Sequence, residues 1–510
     1  MSNKDILLDI IGEADEELIP ELEQSEIEVK PRRGRLLMIA AAACAAVIAA
    51  AVILPRTGLF EKRPKTAASE GPAASAEIPE SSGSSQGSEP REPAVDLGAY
   101  QLAKAEYPAI PRYPEDEFDE KAYAEWSEAV SGLRKNANSY AKGYNEFFKN
   151  SAPVFLSGSE GENAVYSPLG LYMALSMTAE LTDGATRQQL LDALCLEDME
   201  DLRSGARGLW LANYMDDGMA KCLLANSLWM NEKLGSAYNR DTLALVAENY
   251  FAEAFSGDTT SEDYTRAFQS WLSDSTGGLL DDYISDMKLD PETVLTLAST
   301  VDYCGKWIDG FSAELTKSAV FHGPKGDAER EFMNSRSYMD YYWGDSFGAV
   351  ELGLENNGSM RLLLPDEGVS PEDLLTDSEA TAFMLSKNFG YKNRKHCEVK
   401  LSVPKFDVSS SLHLREGLEA LGITDLFDPK TSDFSPLTEE VDNIYVSGAE
   451  QDTRVTIDEE GCRASSLTVM QLAGAAMPDG TVEFTLDRPF LFEIISATGQ
   501  PLFIGIVNEP

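Results

Sequence analysis

Three histidines, His322, His396 and His413, are the only side chains whose ordinary pKa suits proton transfer near neutral pH. None stands beside a nucleophile motif, so hydrolysis by a Ser–His or Cys–His pair has no foothold in the sequence. The six cysteines (Cys44, Cys195, Cys222, Cys304, Cys397, Cys462) show no C-x-x-C and no regular spacing, which argues against a zinc site and a disulfide framework. They read as free, mostly buried thiols, and no metal or cofactor is expected. The stretch with chemical consequences is one that would be cut: Glu459 to Phe484, EEGCRASSLTVMQLAGAAMPDGTVEF. After Glu459, Glu460 and Gly461, the residues Cys462, Ala464, Ser466 and Thr468 are all small, and in an extended chain they share one face. Arg463, Ser465 and Leu467 fall on the other face. That first part has the make-up of a strand able to slip into a sheet. Leu472, Ala473, Gly474, Ala475, Ala476 and Met477, ending at Pro478-Asp479-Gly480, read as an exposed loop of the kind proteases nick.

A loop of this sort needs a rigid body around it, and the composition supplies one. The chain has 510 residues, 43% of them hydrophobic, enough for one large domain with appendages. A formal net charge of −44 excludes a polyanion such as nucleic acid as partner, since phosphate binding requires a basic field. Ser139 to Phe148 has helical apolar spacing; Ser167 and Pro168 predict a helix start, with the helix running to about Leu181. Thr186 and Gln189 predict a second start by a capping box before Leu190. Leu223–Met230, Thr293–Tyr303, Leu362–Leu364, Val399–Phe406, Phe490–Ile495 and Leu502–Val507 read as strands, and Leu412–Gly422 as a helix with a glycine stop. Mixed helices and mostly antiparallel strands imply an α+β domain over 97–510.

Ahead of that domain the character changes twice. Residues 1–35 form an acidic tail ending in a basic cluster, Lys30, Arg32, Arg33 and Arg35, which abuts nineteen uncharged residues from Leu36 to Leu54. At 1.5 Å per residue such a run just spans a hydrocarbon core of ~30 Å, so it reads as a transmembrane helix with its N-terminus in the cytoplasm. A cleaved signal peptide is disfavoured, because its basic region would follow about thirty residues of acidic chain. Residues 55–96, rich in Ala, Ser, Pro, Glu and Gly, cannot bury enough surface to offset ordering entropy and read as a disordered stalk. The expected placement is therefore a single-pass membrane protein whose C-terminal domain stands outside the cell. The string Leu54-Pro55-Arg56-Thr57-Gly58 is similar to a sortase signal, but it follows an apolar segment near the N-terminus instead of preceding one near the C-terminus.

From about Leu97 onward the chain resembles the serpin family, in a membrane-anchored, bacterial-type form. The matches are ordered along the domain: NAVYSPLGL at Asn163–Leu171, the Asp183–Leu194 continuation, ANSLW at Ala225–Trp229, and GKW at Gly305–Trp307 with Phe311. Then come LLLPDEG at Leu362–Gly368, PKF at Pro404–Phe406, LGITDLF at Leu421–Phe427, IDEEG at Ile457–Gly461, RPFLF at Arg488–Phe492 and the terminal Leu502–Pro510. The resemblance implies three mostly antiparallel sheets, eight to nine helices and an exposed reactive loop. It further implies a suicide-substrate inhibitor of serine endopeptidases, with a cysteine protease as a second possible target. The cleaved loop inserts into the main sheet and traps the acyl-enzyme; reactive-loop insertion in this family is a standard example of released strain.

Under that resemblance Glu459–Thr468 is the hinge, and the cleaved bond joins Ala475 to Ala476, the seventeenth and eighteenth residues counted from Glu459. Leu472, Ala473, Gly474 and Met477 flank it and set specificity. Small residues there point to an elastase-like or subtilisin-like target, since a trypsin-like pocket wants a cation. Ser167, Ser299 and Gln451 are implied in the shutter beneath the sheet and Trp307 at the breach. The chain departs from the family with Cys462-Arg463 in place of Thr-Glu, with Ser299 and Gln451 in place of Asn and His, and with Gly170 in place of a second Ser. A monomer is expected. The alternative is a non-inhibitory binding or structural module on the same fold, which bulky or charged inward hinge positions would favour.

Overall fold

The computed structural model describes residues 96–510, apart from 115–118, 136, 160, 219, 235–237, 290–293, 388–389, 440, 442 and 463–479. The tail, the apolar segment Leu36–Leu54 and the stalk up to residue 95 lie outside the described residues. Among those described, no helix is long and apolar enough to cross a membrane.

The chain opens with strand β1 (Gln101–Ala103), helix α1 (Glu120–Arg134) and helix α2 (Ala137–Leu156). Strand β2 (Ala164–Tyr166) leads into α3 (Pro168–Leu181), α4 (Gly184–Ala193) and α5 (Met199–Asn213). Then come β3 (Met215–Asp216), β4 (Lys221–Asn231), α6 (Arg240–Tyr250), β5 (Ala252–Gly257), α7 (Glu262–Ser275), α8 (Asp281–Ile284) and β6 (Leu295–Lys306). A run of strands follows: β7 (Lys317–Gly323), β8 (Gly326–Trp343), β9 (Phe347–Leu354) and β10 (Gly358–Pro365). Short helices α9 (Pro371–Thr376) and α10 (Ser378–Met384) separate these from β11 (Arg394–Pro404), β12 (Phe406–His413) and α11 (Leu414–Ala420). The C-terminal part holds β13 (Glu450–Ile457), β14 (Gly461–Cys462), β15 (Thr481–Thr485), β16 (Phe490–Ile495) and β17 (Pro501–Val507).

These make three sheets, as expected, with eleven α-helices among the described residues where eight or nine were expected. The excess includes α1, ahead of the first expected helix, and the four-residue α8. A six-stranded sheet runs β1-β5-β4-β6-β14 with β3 on β4; a nine-stranded sheet runs β15-β11-β8-β9-β10-β16-β17-β2 with β7 on β8; β12 and β13 pair as a third.

Helix α3 sits where the sheets meet. Ser167 caps it, its Oγ accepting from Gly170 N at 3.3 Å, and Pro168 occupies the first turn, where a missing N–H costs nothing. Almost every residue from Pro168 to Leu181 is buried, so the helix is apolar all round. Its one acidic side chain, Glu180, is held by Arg203 and by the Tyr250 hydroxyl at 3.0 Å. The capping box expected at Thr186 and Gln189 does not form. Helix α4 starts earlier, after Asp183, and both side chains are used on a distant segment. Thr186 Oγ1 accepts from Asp433 N at 3.0 Å, and Gln189 Oε1 accepts from the amides of Thr424 and Asp425 at 2.9 Å. Residues 412 and 413, expected to be helical, complete β12 instead, so α11 is shorter at its start.

The nine-stranded sheet buries a carboxyl group that the sequence pattern conceals. Glu493 lies within the apolar run of β16 at 0% exposure, and neither carboxylate oxygen has a hydrogen-bond partner. Arg361 Nη1 is 3.7 Å away, but that guanidinium is taken up by Glu351 at 2.8 Å and by the carbonyls of Phe383, Met384 and Ser386. Burial raises the Glu493 pKa to about 8, with Arg361 opposing and Glu351 assisting. A raised acid pKa means that the folded protein holds a proton which the unfolded chain releases above the ordinary value, near 4.5. Stability from this group is therefore intact at low pH, falls as pH rises from about 4.5 to about 8, and then levels. Glu493→Gln, an isostere of the neutral acid, should remove that slope. The variant's thermal midpoint should gain steadily on the parent between pH 5 and 8, and a constant difference would contradict this assignment.

Candidate functional site

Strands β6 and β13 face each other across a gap. Among the described residues neither pairs with the other: β6 is bonded to β4 and, at its end, to β14, while β13 is bonded to β12. A cavity of about 90 Å³ fills the space between them. Ser299, Val301 and Tyr303 line it from β6, and Gln451, Thr453 and Val455 from β13. Ser167, Gly170 and Phe503 close one side and Thr276, Leu279 and Leu280 the other. The alternation of side chains fixes which face is which. Thr453, Val455 and Ile457 are buried, and Val301 and Tyr303 pack against the main core, whereas Ala298 packs against a separate cluster around Trp229, Phe268 and Trp271.

Of the residues expected in a shutter, Gln451 and Ser167 meet beside this gap. Gln451 Oε1 accepts from Ser167 N at 2.8 Å while its Nε2 donates to Ser167 O at 3.0 Å, and Ser167 Oγ donates to Leu502 O at 3.0 Å. Gln451 thus bonds the backbone ahead of α3 and not Ser299, which lines the opposite wall. Gly170 keeps the arrangement open, since a Cβ there would lie 3.3 Å from Ser167 Oγ and 3.6 Å from Gln451 Nε2. On the far face Arg454 pairs with Asp407 at 2.6 and 2.8 Å and donates to Leu279 O at 3.3 Å, fastening the segment after α7 over the gap.

At the other end the hinge begins as a tight hairpin. Asp458 and Gly461 exchange backbone hydrogen bonds at 3.2 and 3.3 Å, and Asp458 Oδ1 accepts from Glu460 N at 2.9 Å. Trp307, at the breach, secures the turn: its Nε1 donates to Asp458 O at 2.9 Å and its backbone N to Glu460 O at 3.2 Å. Phe311 N donates to Glu459 O at 3.1 Å. Gly461 is required here, with φ +133° and a would-be Cβ 2.5 Å from Gly305 O. The Glu459 carboxylate accepts from Thr316 Oγ1 at 2.7 Å and lies 3.2 Å from Lys405 Nζ. Burial pushes its pKa up, but Thr316 and Lys405 outweigh that and hold it below the usual range.

Gly461 and Cys462 then pair antiparallel with Lys306 and Gly305, at the C-terminal end of β6. The rest of the hinge, Arg463, Ala464, Ser465, Ser466, Leu467 and Thr468, lies outside the described residues. So do the expected bond Ala475–Ala476 and its flanks Leu472, Ala473, Gly474 and Met477. The chain resumes at Gly480, whose carbonyl accepts from Glu398 N at 3.2 Å, and β15 runs parallel to β11. Sequence reasoning missed the partners of Glu459. Thr316 stands 143 residues away with no local pattern to mark it, while Lys405 sits in the PKF string already noted. Among the described residues no group of acidic, histidine or cysteine side chains could hold a metal, and Cys195, Cys222, Cys304 and Cys397 are free thiols.

The family model described as Serpin (serine protease inhibitor) matches residues 145–510. The chain is 29% identical over 378 residues to the alpha-1-antitrypsin-like protein GS55-MS of Ictidomys tridecemlineatus, covering 72% of this chain and 87% of that one. It is 29% identical over 379 residues to plasminogen activator inhibitor 1 of Sus scrofa, covering 70% and 89%. The crystal structure of the thermophilic serpin tengpin in its native state is similar with a TM-score of 0.63 and 28% identity, covering 81% of this chain and 99% of that one.

Removing the Gln451 amide tests the shutter geometry. Gln451→Leu leaves both backbone groups of Ser167 without that partner and should cost about 1–3 kcal/mol, the usual penalty for a buried polar group left unpaired. Thermal unfolding of the variant should show a midpoint several degrees lower; an unchanged midpoint would mean that the pair contributes nothing.

Proposed function

The chain belongs to the serpin family, and from that premise we propose that it is a suicide-substrate inhibitor of serine endopeptidases in which the gap between β6 and β13 receives the cleaved loop. The observation that carries this reading is the hinge start: Gly461 and Cys462 are already in register on β6, and a cavity lined by both β6 and β13 lies alongside. Two relatives bear the names of protease inhibitors, an antitrypsin-like protein and a plasminogen activator inhibitor, which supports the same reading.

The register gives the mechanism its detail. Continuing the Gly461↔Lys306 and Asp458↔Gly461 pairings one residue at a time brings Ala464 between Tyr303 and Val455, Ser466 between Val301 and Thr453, and Thr468 between Ser299 and Gln451. These rows face the core, where only small side chains fit. The same count brings Arg463 between Cys304 and Thr456, and Ser465 between Asp302 and Arg454, on the other face. Arg463 therefore enters without burying its charge in the core, and Ser465 passes beneath the segment that Arg454 fastens.

In the proposed cycle the protease nucleophile attacks the Ala475 carbonyl carbon, an acyl bond forms, and the Ala475–Ala476 bond breaks to leave a new amino terminus at Ala476. The freed hinge then inserts and draws the acyl-enzyme away before water can deacylate it. Small residues around the bond suit elastase-like or subtilisin-like enzymes. We place the domain outside the cell as a monomer, tethered through the apolar segment Leu36–Leu54 and its stalk.

Mixing residues 97–510 with elastase and with subtilisin tests the reading: a covalent complex that survives denaturing gels is expected, and cleavage near Ala475 without a complex would overturn it. The register predicts more. Arg463→Ala should leave complex yield within about twofold of the parent, whereas Ala464→Arg forces an unpaired charge into the core, a cost of several kcal/mol, and should divert the protein to plain cleavage. Equal yields from the two variants would contradict the register.

A further inference from the structure

The first described residues fix where the chain enters the domain. Strand β1 lies on the outer edge of the six-stranded sheet, with Gln101 opposite Phe255 and Ser256 N donating to Tyr100 O at 2.8 Å. Its side chains are fastened as well. Gln101 Nε2 donates to Glu253 Oε1 and Trp271 Nε1 to Glu253 Oε2, both at 3.0 Å. Leu97 and Tyr100 pack against the cluster around Trp229 and Phe268, and the Tyr100 ring lies 5.0 Å from that of Tyr264. A pull on the preceding chain is therefore borne at this edge.

Following the ladders across the sheet shows which end this is. Ser256 stands opposite Met230, and Met230 opposite Leu295, the first residue of β6. The hinge pairs at the other end of β6, Cys462 with Gly305 and Gly461 with Lys306, the last residue. Chain entry and hinge thus lie at opposite ends of a 12-residue strand, about 40 Å apart. Continuing the hinge register brings Leu472 opposite Leu295 and Ala475 three residues beyond, about 10 Å past the end of β6. Tyr100 bonds Ser256 in that same row, and four strand spacings of about 4.8 Å separate it from the inserted chain. The Ala475 carbonyl, with any enzyme bonded to it, therefore arrives within roughly 25 Å of the point where the N-terminal segment joins the domain.

A tether turns this coincidence into a steric constraint. An endopeptidase of about 250 residues has a radius of gyration of about 18 Å and is about 45 Å across. Delivered to the entry end, it has to fit between the domain and the membrane. Residues 55–95 reach at most about 145 Å, and the unstructured chain that their composition implies has a root-mean-square span of roughly 35 Å. That range covers the width of the enzyme. We propose that residues 55–95 are a spacer whose length makes room for the trapped endopeptidase at the membrane-facing end of the domain. The first attack on the loop, at the far end, does not depend on it. Crowding against the bilayer slows insertion while water deacylates at its own rate, so a short spacer diverts molecules to cleaved product. The spacer rests on the inhibitor and tether readings above.

The test places full-length chains in phosphatidylcholine vesicles with the domain outward and attacks them with elastase and with subtilisin. Products are read on the fraction that floats with the vesicles, so that chains nicked in the spacer drop out. Deleting residues 66–95 keeps Arg56, Lys62, Arg63 and Lys65 beside the apolar segment and leaves a spacer of at most about 40 Å, less than the width of the enzyme. The deletion should lower the complex-to-cleavage ratio about fivefold or more, with the rate of first attack within about twofold of the parent. Refilling it with about thirty Gly and Ser residues should restore the ratio, because length and not sequence is what counts. A deleted chain that traps as well as the parent on vesicles would overturn the spacer, as would a loss that the refill does not cure. A parent chain that does not float with the vesicles overturns the tether and the spacer with it. Residues 97–510 cleaved by both enzymes without any complex overturn the inhibitor reading, and the spacer falls for that separate reason.

Discussion

The strand edges of β6 and β13 that border the gap are the constraint on which the rest of this structure turns. A strand edge carries N–H and C=O groups that need partners, and among the described residues these two strands form no ladder with each other. A segment laid on a single edge satisfies only every second residue, whereas one placed between two edges satisfies every N–H and C=O it has and completes both neighbours. At roughly 1 kcal/mol net per hydrogen bond, that doubles the gain per residue. The cost of ordering the chain is roughly 1–2 kcal/mol per residue, so the central position is where insertion becomes favourable and a lone edge is where it stalls. With the two terms so close in size, one buried charge or one bulky inward side chain decides the outcome.

The surrounding features serve that position. Trp307 and Gly461 set the hairpin so that the chain turns back onto β6 in the correct register. Gln451 ties β13 to the start of α3, holding one wall of the gap to the most buried helix of the fold. Arg454 fastens the outer cover through Leu279. Removing any of these alters the gap without touching the loop. In the proposed function these features act through backbone geometry more than through any reactive side chain.

Much of this was legible from residue order. Ser167-Pro168 announced α3 because capping is a local matter, and compact apolar runs placed β4, β16 and β17 nearly in full, whereas Leu362–Leu364 marked only part of β10 and Val399–Phe406 ran across the break between β11 and β12. Of the small-residue face expected at Cys462, Ala464, Ser466 and Thr468, only Cys462 falls among the described residues, paired with Gly305. What escaped was nonlocal. Thr186 and Gln189 have the spacing of a capping box, yet tertiary partners at residues 424–433 took both side chains. Glu493 hides in an apolar strand, and its environment comes from Arg361 and Glu351 on neighbouring strands. The eleven helices exceed the expected number because α1 precedes the family core and short turns such as α8 leave little periodic trace.

The most direct measurement is amide hydrogen exchange on residues 295–306 and 450–457, before and after the loop is cut by a protease. If the gap receives the loop, both strands should gain protection together once Ala475–Ala476 is cleaved, because each acquires a strand partner along the edge that borders the gap. Cleavage that leaves exchange in β6 and β13 unchanged would contradict the account.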